Sequence, residues 1–321
     1  MLKTILRRLL VALPLLLVIS FLSFALISLA PGDYFAQLKT NPQISEQTIE
    51  RFRQEYNLDK PVYVQYLSWL GGIVQGDLGY SFVKKAPVIK IIGERIGPTL
   101  LLSVVSLLLI WLLALPLGIY AAVHFRKLGD KVLAFFSFLG LSLPNFFLAL
   151  LLLYLASVSG ILPTGGMVSV NFDQLSWWQQ ILDVSRHLIL TAAVIALAGV
   201  AALQRLMRGN MLEVLGEQYI KTAQAKGLPK RRIVYGHAVR NAINPLITLF
   251  GFEFSNLLSG AALTEIITSW PGMGSMMLEA VGQQDLYLVM GGMIIGGSML
   301  IVGNLLADIL LIIADPRIHV S

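Results

Sequence analysis

Cysteine is absent from the 321 residues, which removes disulfides, thiolate metal sites and cysteine nucleophiles together. Charge is scarce as well: Asp, Glu, Lys and Arg make up 13% of the chain against 56% hydrophobic residues, and the mean hydropathy is +0.75. A soluble domain of this length would carry far more charge, so a bilayer is the better solvent. His124, His187, His237 and His319 are scattered without metal-ligand spacing, which argues against zinc chemistry. Missing too are G-x-x-x-x-G-K-[ST], G-x-S-x-G and H-E-x-x-H, so no catalytic residue, metal or cofactor is expected on this chain, and any nucleotide belongs to another subunit. The net charge of +6 invites a nucleic-acid reading, but the placement of that charge argues against one.

What remains is a series of long apolar runs. Crossing ~30 Å of hydrocarbon takes about 20 apolar residues, and each crossing must be helical because lipid offers the backbone no hydrogen bonds. Runs near Leu9–Leu29, Thr99–Val123, Val132–Ser157, His187–Leu206, Pro245–Glu265 and Leu286–Ile313 meet this, so the sequence predicts an all-α polytopic membrane protein with six transmembrane helices. Ser28-Leu29-Ala30 resembles a signal-peptidase site, but the run before it exceeds a typical signal core and Pro31 follows, so a retained first span is expected. The organisation predicted is a cytoplasmic tail and first span (1–30), an extracytoplasmic loop (31–98), a permeation core (99–314) holding a basic loop at 205–242, and a tail (315–321).

Basic residues set the orientation. Lys3, Arg7 and Arg8, then Arg126, Lys127 and Lys131, then the 205–240 segment and Arg317 all fall on one side. The short loops opposite hold only Arg186, and the long 31–98 loop weighs little in the positive-inside rule. Both termini are therefore expected in the cytoplasm. In the long loop, Ser45 can cap a helix carrying Ile49, Phe52 and Tyr56, and Pro61–Val74 carries Tyr63, Tyr66 and Trp69, aromatics suited to a membrane–water boundary.

Residues 205–240 hold eight Lys/Arg against Glu213 and Glu217. They read as two short helices broken at Gly227-Leu228-Pro229, with Tyr219, Ile220 and Ala223 apolar on the first and Ile233, Val234 and Val239 on the second. A short helix ending in a tight turn is a shape another protein can grip; a basic loop lying on anionic headgroups accounts for the same charge.

The run Tyr219-Ile220-Lys221-Thr222-Ala223-Gln224-Ala225-Lys226-Gly227 resembles the cytoplasmic coupling motif of ATP-binding-cassette importer permeases, an EAA triplet followed three residues later by glycine. Lys221 and Thr222 replace the glutamate and first alanine, and Val239-Arg240 stands where the motif closes on leucine-proline. Other blocks are similar to permeases for dipeptides, oligopeptides and nickel: Asn57-Leu58-Asp59-Lys60-Pro61, Gln65-Tyr66, Trp69-Leu70, Gly76-Asp77-Leu78-Gly79, Ala225-Lys226-Gly227-Leu228, His237 with Arg240-Asn241-Ala242, Trp270-Pro271-Gly272-Met273-Gly274 and Asp315-Pro316-Arg317-Ile318. They cover essentially the whole chain, and the long loop ending in Gly-Asp-Leu-Gly points to the first of the two paired permeases. The resemblance implies a type I importer permease fold, a second homologous permease, two ATPase subunits carrying ATP-Mg, a substrate-binding protein outside, and lipid around the spans. It implies that Ala223 and Gly227 give close approach to an ATPase groove, with Lys221 and Lys226 at its rim. Peptide is the default substrate; nickel chelates, glutathione and some sugars are handled by relatives.

Ionisable groups in the spans are few. Glu253 lies within the fifth, either lining the translocation path or hydrogen-bonded between helices; Asp308 lies near the cytoplasmic end of the sixth and is expected to snorkel. Glu265 and Asp285 flank the Trp-Pro-Gly loop with no basic residue in that loop to offset them; they either attract a peptide's ammonium on the translocation path or face solvent, and solvent is the expectation. Gly291, Gly292, Gly296, Gly297 and Gly303 allow close helix packing in the sixth span, within the chain or against the partner permease. An ion-coupled secondary transporter is the rival of another class, but inverted repeats and buried charge clusters are not evident.

Overall fold

The computed structural model describes residues 2–29, 47, 54, 59–258 and 262–314. Helix α1 (Leu2–Leu29) leads to α2 (Val62–Val74) and a two-stranded antiparallel hairpin, β1 (Tyr80–Ser81) and β2 (Ala86–Pro87), in which Tyr80 opposes Pro87. Then come α3 (Val88–Val123), α4 (Leu128–Ser142), α5 (Asn145–Ser159) and α6 (Trp177–Gly216). The short α7 (Gln218–Ala225), a π-helical turn (Arg232–Ala238) and α8 (Val239–Ala242) precede α9 (Asn244–Leu258), α10 (Ala262–Ile267), α11 (Met273–Gly282) and α12 (Leu286–Ala314).

Among the described residues, four helices are long and apolar enough to cross a membrane: Arg8–Leu29, α3, α6 and Leu286–Leu306. The third expected span is not one straight helix. It breaks between α4 and α5 with a bend of 106°. Pro144 supplies the reason: it caps α5, and proline drives the residue before it, Leu143 (ψ 130°), out of the helical region. The fifth expected span falls on α9 and α10, with 259–261 outside the described residues. The second and fourth spans are longer than their apolar runs, because α3 begins at Val88 and α6 runs through Arg186 and His187, whose ring is buried with Nδ1 2.8 Å from the Asp183 carbonyl.

Helices α3 and α6 form the spine. A side chain at Gly199 would strike Ile110, and one at Gly118 would strike Met207 and the Gln204 carbonyl, so the two helices cross where only glycine fits. Gly140 likewise brings α4 against Ala201 of α6. At one end the spine packs Ala114, Ile119, Ala122, Met207 and Met211 into an apolar cluster with Ile220, Ile233 and Val234. At the other, Leu102, Leu188, Ala192 and Ile195 surround Trp270.

Two of the aromatics expected at a membrane boundary are buried instead. Tyr66 packs edge-on against Phe21 and Phe24 of α1, and its hydroxyl donates to the Leu17 carbonyl at 3.1 Å and lies 2.8 Å from Ser20 Oγ. Trp69 donates its indole N–H to the Leu78 carbonyl at 3.1 Å, leaving Tyr63 as the exposed member. The helix expected after Ser45, with Ile49, Phe52 and Tyr56, and the block beginning at Asn57-Leu58 lie outside the described residues, as do the tail from Asp315 and the side chain of Asp308.

A charged clamp joins α4 to the spine. Arg208 of α6 donates to both oxygens of Asp130, at 2.6 and 3.0 Å, and the Arg126 backbone N–H donates to the same carboxylate at 2.8 Å. Asp130 is buried, so losing its partner strands a charge. Asp130→Asn and Arg208→Gln should each lower stability by about 1–3 kcal/mol. The double variant should lose less than the sum. Thermal unfolding in detergent measures this, and additive losses would show that the clamp contributes nothing as a pair.

Candidate functional site

The sequence-predicted residues form two clusters at opposite ends of α3, with Glu253 apart from both. Pro98, at one end, and Ile119, at the other, are separated by roughly 30 Å along the helix.

At the basic end, α6 stops at Gly216 because Glu217 is extended (ψ 150°), turning the chain sharply into α7. Helix α7 ends where Gly227 takes a positive φ of 73° and the Leu228 N–H closes back on the Ala223 carbonyl at 3.3 Å. Left-handed backbone at this position requires glycine, and Pro229 prevents continuation. Nothing among the described residues crowds Gly227, so its conformation is what favours glycine. One face of α7 is sunk into the protein: Ile220 and Ala223 are buried against Met211, Ile233 and Val234. The opposite face is open, with Lys221, Thr222, Ala225 and Lys226 exposed and Tyr219 exposed at 43%. Ala223, expected to approach a partner, therefore serves its own chain: its small side chain lets α7 sit close to the spine. The platform is tied down by Asn241, which donates to the Tyr219 hydroxyl at 3.1 Å, and by Asn210, which donates to the Ala242 carbonyl at 3.1 Å.

At the other end, the Trp-Pro-Gly-Met-Gly segment folds over a carboxylate. Glu265 is 1% exposed, against the expectation of solvent. Its Oε2 accepts the Ser275 N–H at 2.7 Å, and side chains at Gly272 or Gly274 would run into it or its helix. The loop's glycines are thus fitted to a glutamate in the preceding helix. Trp270 donates its indole N–H to the Pro98 carbonyl at 3.1 Å, and the Met273 N–H donates to Thr99 Oγ1 at 2.7 Å, so α3 anchors the loop.

Asp285 is also buried, at 3% exposure, and also departs from the expectation of solvent. It accepts the Ser81 hydroxyl at 2.5 Å and faces the start of α12, locking the hairpin to that helix. Burial pushes the Asp285 carboxyl above the usual range, and the Ser81 hydrogen bond pulls it part of the way back. Lys84 beside it pairs with Glu279 at 2.5 Å, so the basic residue missing from the Trp-Pro-Gly loop comes from the hairpin instead. Within this chain, Glu265 and Asp285 are closed off and support the Trp270 loop and the hairpin. Glu253 is half-buried on α9. Three α12 glycines pack inside the chain, Gly291 on Val88, Gly292 on Met277 and Gly297 on Leu16, while Gly296 meets nothing among the described residues.

Sequence reasoning did not find the Asp130–Arg208 clamp, nor Thr99 and Pro98 as anchors of the loop. Their partners lie 78 to 174 residues away, and no local pattern announces them. Gly118 and Gly199 were available as a signal, since glycine inside an apolar helix marks close approach.

Comparison with known proteins now adds to this geometry. The family described as Binding-protein-dependent transport system inner membrane component matches residues 114–320. The family described as Binding-prot-dependent transport system membrane comp, N-term, matches residues 1–103. The chain is 42% identical to the oligopeptide transport system permease protein AppB of Bacillus subtilis (strain 168), over 98% of each chain. It is 38% identical to a putative peptide permease protein of Brucella ovis over the full length of both, and 36% identical to the dipeptide transport system permease protein DppB of Escherichia coli (strain K12) over 99% of each.

The carboxylate under the loop makes a specific expectation. Gly272→Ala should lower the thermal midpoint in detergent by several degrees, because its methyl group meets the Glu265 carboxyl. Adding Glu265→Ala should recover part of that loss. A Gly272→Ala variant as stable as the parent would contradict the fit.

Proposed function

The chain belongs to the binding-protein-dependent transport system inner membrane components, helical polytopic membrane proteins that work with ATP-binding-cassette partners and a binding protein, and on that premise we propose that it imports peptides as one of two paired permease subunits. Peptide is the substrate class because relatives that match along their whole length are named for oligopeptides, dipeptides and peptides. The second homologous permease completes the path, two ATPase subunits bind and hydrolyse ATP, and the binding protein delivers the substrate from outside. Both termini and the basic turn lie in the cytoplasm, following the distribution of Lys and Arg, with six crossings in all. The chain itself performs no catalysis.

The observation that carries the coupling role is the two-faced placement of α7. Its inner face is fused to the apolar cluster at the end of α3 and α6, while Lys221, Thr222, Ala225 and Lys226 project outward beside Tyr219. A push on the outward face is transmitted to the spine through Ile220 and Ala223 without bending a flexible loop. The outward face is more polar than a purely apolar dock requires. Exposed ion pairs contribute only ~0–1 kcal/mol each, so Lys221 and Lys226 orient the contact while Tyr219 and Ala225 fill it. At the far end, the Trp270 loop held on Pro98 and Thr99 gives the same two helices a grip on the outer surface.

Ala225→Trp adds bulk to the open face only. In the reconstituted complex it should reduce peptide-stimulated ATP hydrolysis at least ~10-fold while the two permeases still co-purify, because the inner packing is untouched. Unchanged stimulation would remove α7 as the coupling element. Uptake of nickel chelate or glutathione in place of peptide would keep the architecture and replace the substrate. Peptide uptake driven by an ion gradient without ATP would favour the secondary carrier.

A further inference from the structure

Beside the coupling turn, a cavity of about 510 Å³ opens between the last turns of α3 and the start of the π-helical turn. Pro116, Ile119, Val123 and Val234 give it apolar lining, and His124, Lys230 and Arg231 line it too, with Tyr120 and Tyr235. Among the described residues no carboxylate lines it. Among the described residues neither Lys230 nor Arg231 forms an ion pair, and both are exposed. Asp130, at the start of the next helix, is buried and engaged by Arg208, so it does not neutralise these cations. The tyrosines are 47% and 61% exposed, each an apolar ring with a polar tip. The Tyr120 and His124 rings lie tilted with centroids 4.3 Å apart, and the His124 Nδ1 lies 3.0 Å from the Tyr120 carbonyl. Phe125 and Leu128 lie exposed just past the end of α3, and Arg126 and Lys127 stand between them.

Apolar side chains beside cations and tyrosines, where an apolar helix ends, suit the two chemistries of a membrane leaflet: acyl chain against Pro116 and Ile119, phosphate against Lys230 and Arg231. We infer that this cavity binds an anionic phospholipid of the leaflet on the coupling side, with Lys230, Arg231 and His124 at its headgroup. Charge complementarity selects an anionic lipid over a zwitterionic one. Val123 and Val234 line this cavity and also a second one, of about 420 Å³, that reaches Gln224 of α7. A bound lipid therefore contacts residues that also line the space beside the turn. The inference takes only the choice of leaflet from the transporter reading.

The test uses the intact purified complex, delipidated and titrated in detergent with phosphatidylglycerol or phosphatidylcholine, with bound lipid counted by native mass spectrometry. The wild type should retain phosphatidylglycerol in preference, and Lys230→Gln with Arg231→Gln should weaken that retention roughly 10- to 30-fold. Lys230→Arg with Arg231→Lys should restore it, which separates charge from misfolding. Inorganic phosphate at millimolar concentration should not displace the lipid. Equal retention of both lipids, retention unchanged in the neutral variant, or displacement by phosphate alone would overturn the inference. So would loss of the ATPase subunits from the neutral variant, which would make this face a protein contact. Failure of the transporter reading is distinguishable: the wild type would then carry no ATPase partner, whatever its lipid.

Discussion

Helices α3 and α6 approach so closely at Gly118 and Gly199 that Met207, Ile110 and the Gln204 carbonyl occupy the space any side chain there would need. Between helices in a bilayer there is little hydrophobic gain to be had, because lipid is as apolar as leucine, so contact distance decides how firmly two spans hold. The Trp270 loop and α7 are both attached to this pair of helices. The Trp270 loop is bonded to Pro98 and Thr99 at one end of α3, and α7 is packed against Met207 and Met211 of α6 at the other.

Among the described residues, buried carboxylates are few, and three of them hold structure together. Asp130 ties α4 to Arg208, Asp285 ties the hairpin to α12 through Ser81, and Glu265 fills the hollow left by Gly272 and Gly274. These carboxylates hold loops and helix starts. A chain with so little charge and no cysteine has few other means of fixing its surface loops. The bend at Pro144 adds a different element, since a span broken by 106° presents two short helices where one was expected.

Much of this was legible in the sequence, and what was not follows a physical pattern. Long apolar runs and the Gly227-Leu228-Pro229 break are local signals, and the helices and the turn fall where those signals put them. Pro144 was equally local, yet the hydrophobic run passes through it unbroken and hides the bend. Burial of Glu265, Asp285, Tyr66 and Ala223 depends on partners far along the chain, which composition and spacing do not encode. Ala223 is the instructive case. A motif assigns it to a partner, while packing assigns it to the spine, and only the three-dimensional arrangement tells which side of α7 faces out.

That sidedness is open to direct measurement because the chain has no native cysteine. Single cysteines placed at Ala225 and at Ala223 in the intact complex can be cross-linked to cysteines introduced around the docking groove of the ATPase subunits. The outward face of α7 predicts a cross-link from position 225 and none from position 223. Cross-linking from 223 but not from 225, or from neither, would contradict the coupling role drawn from this structure.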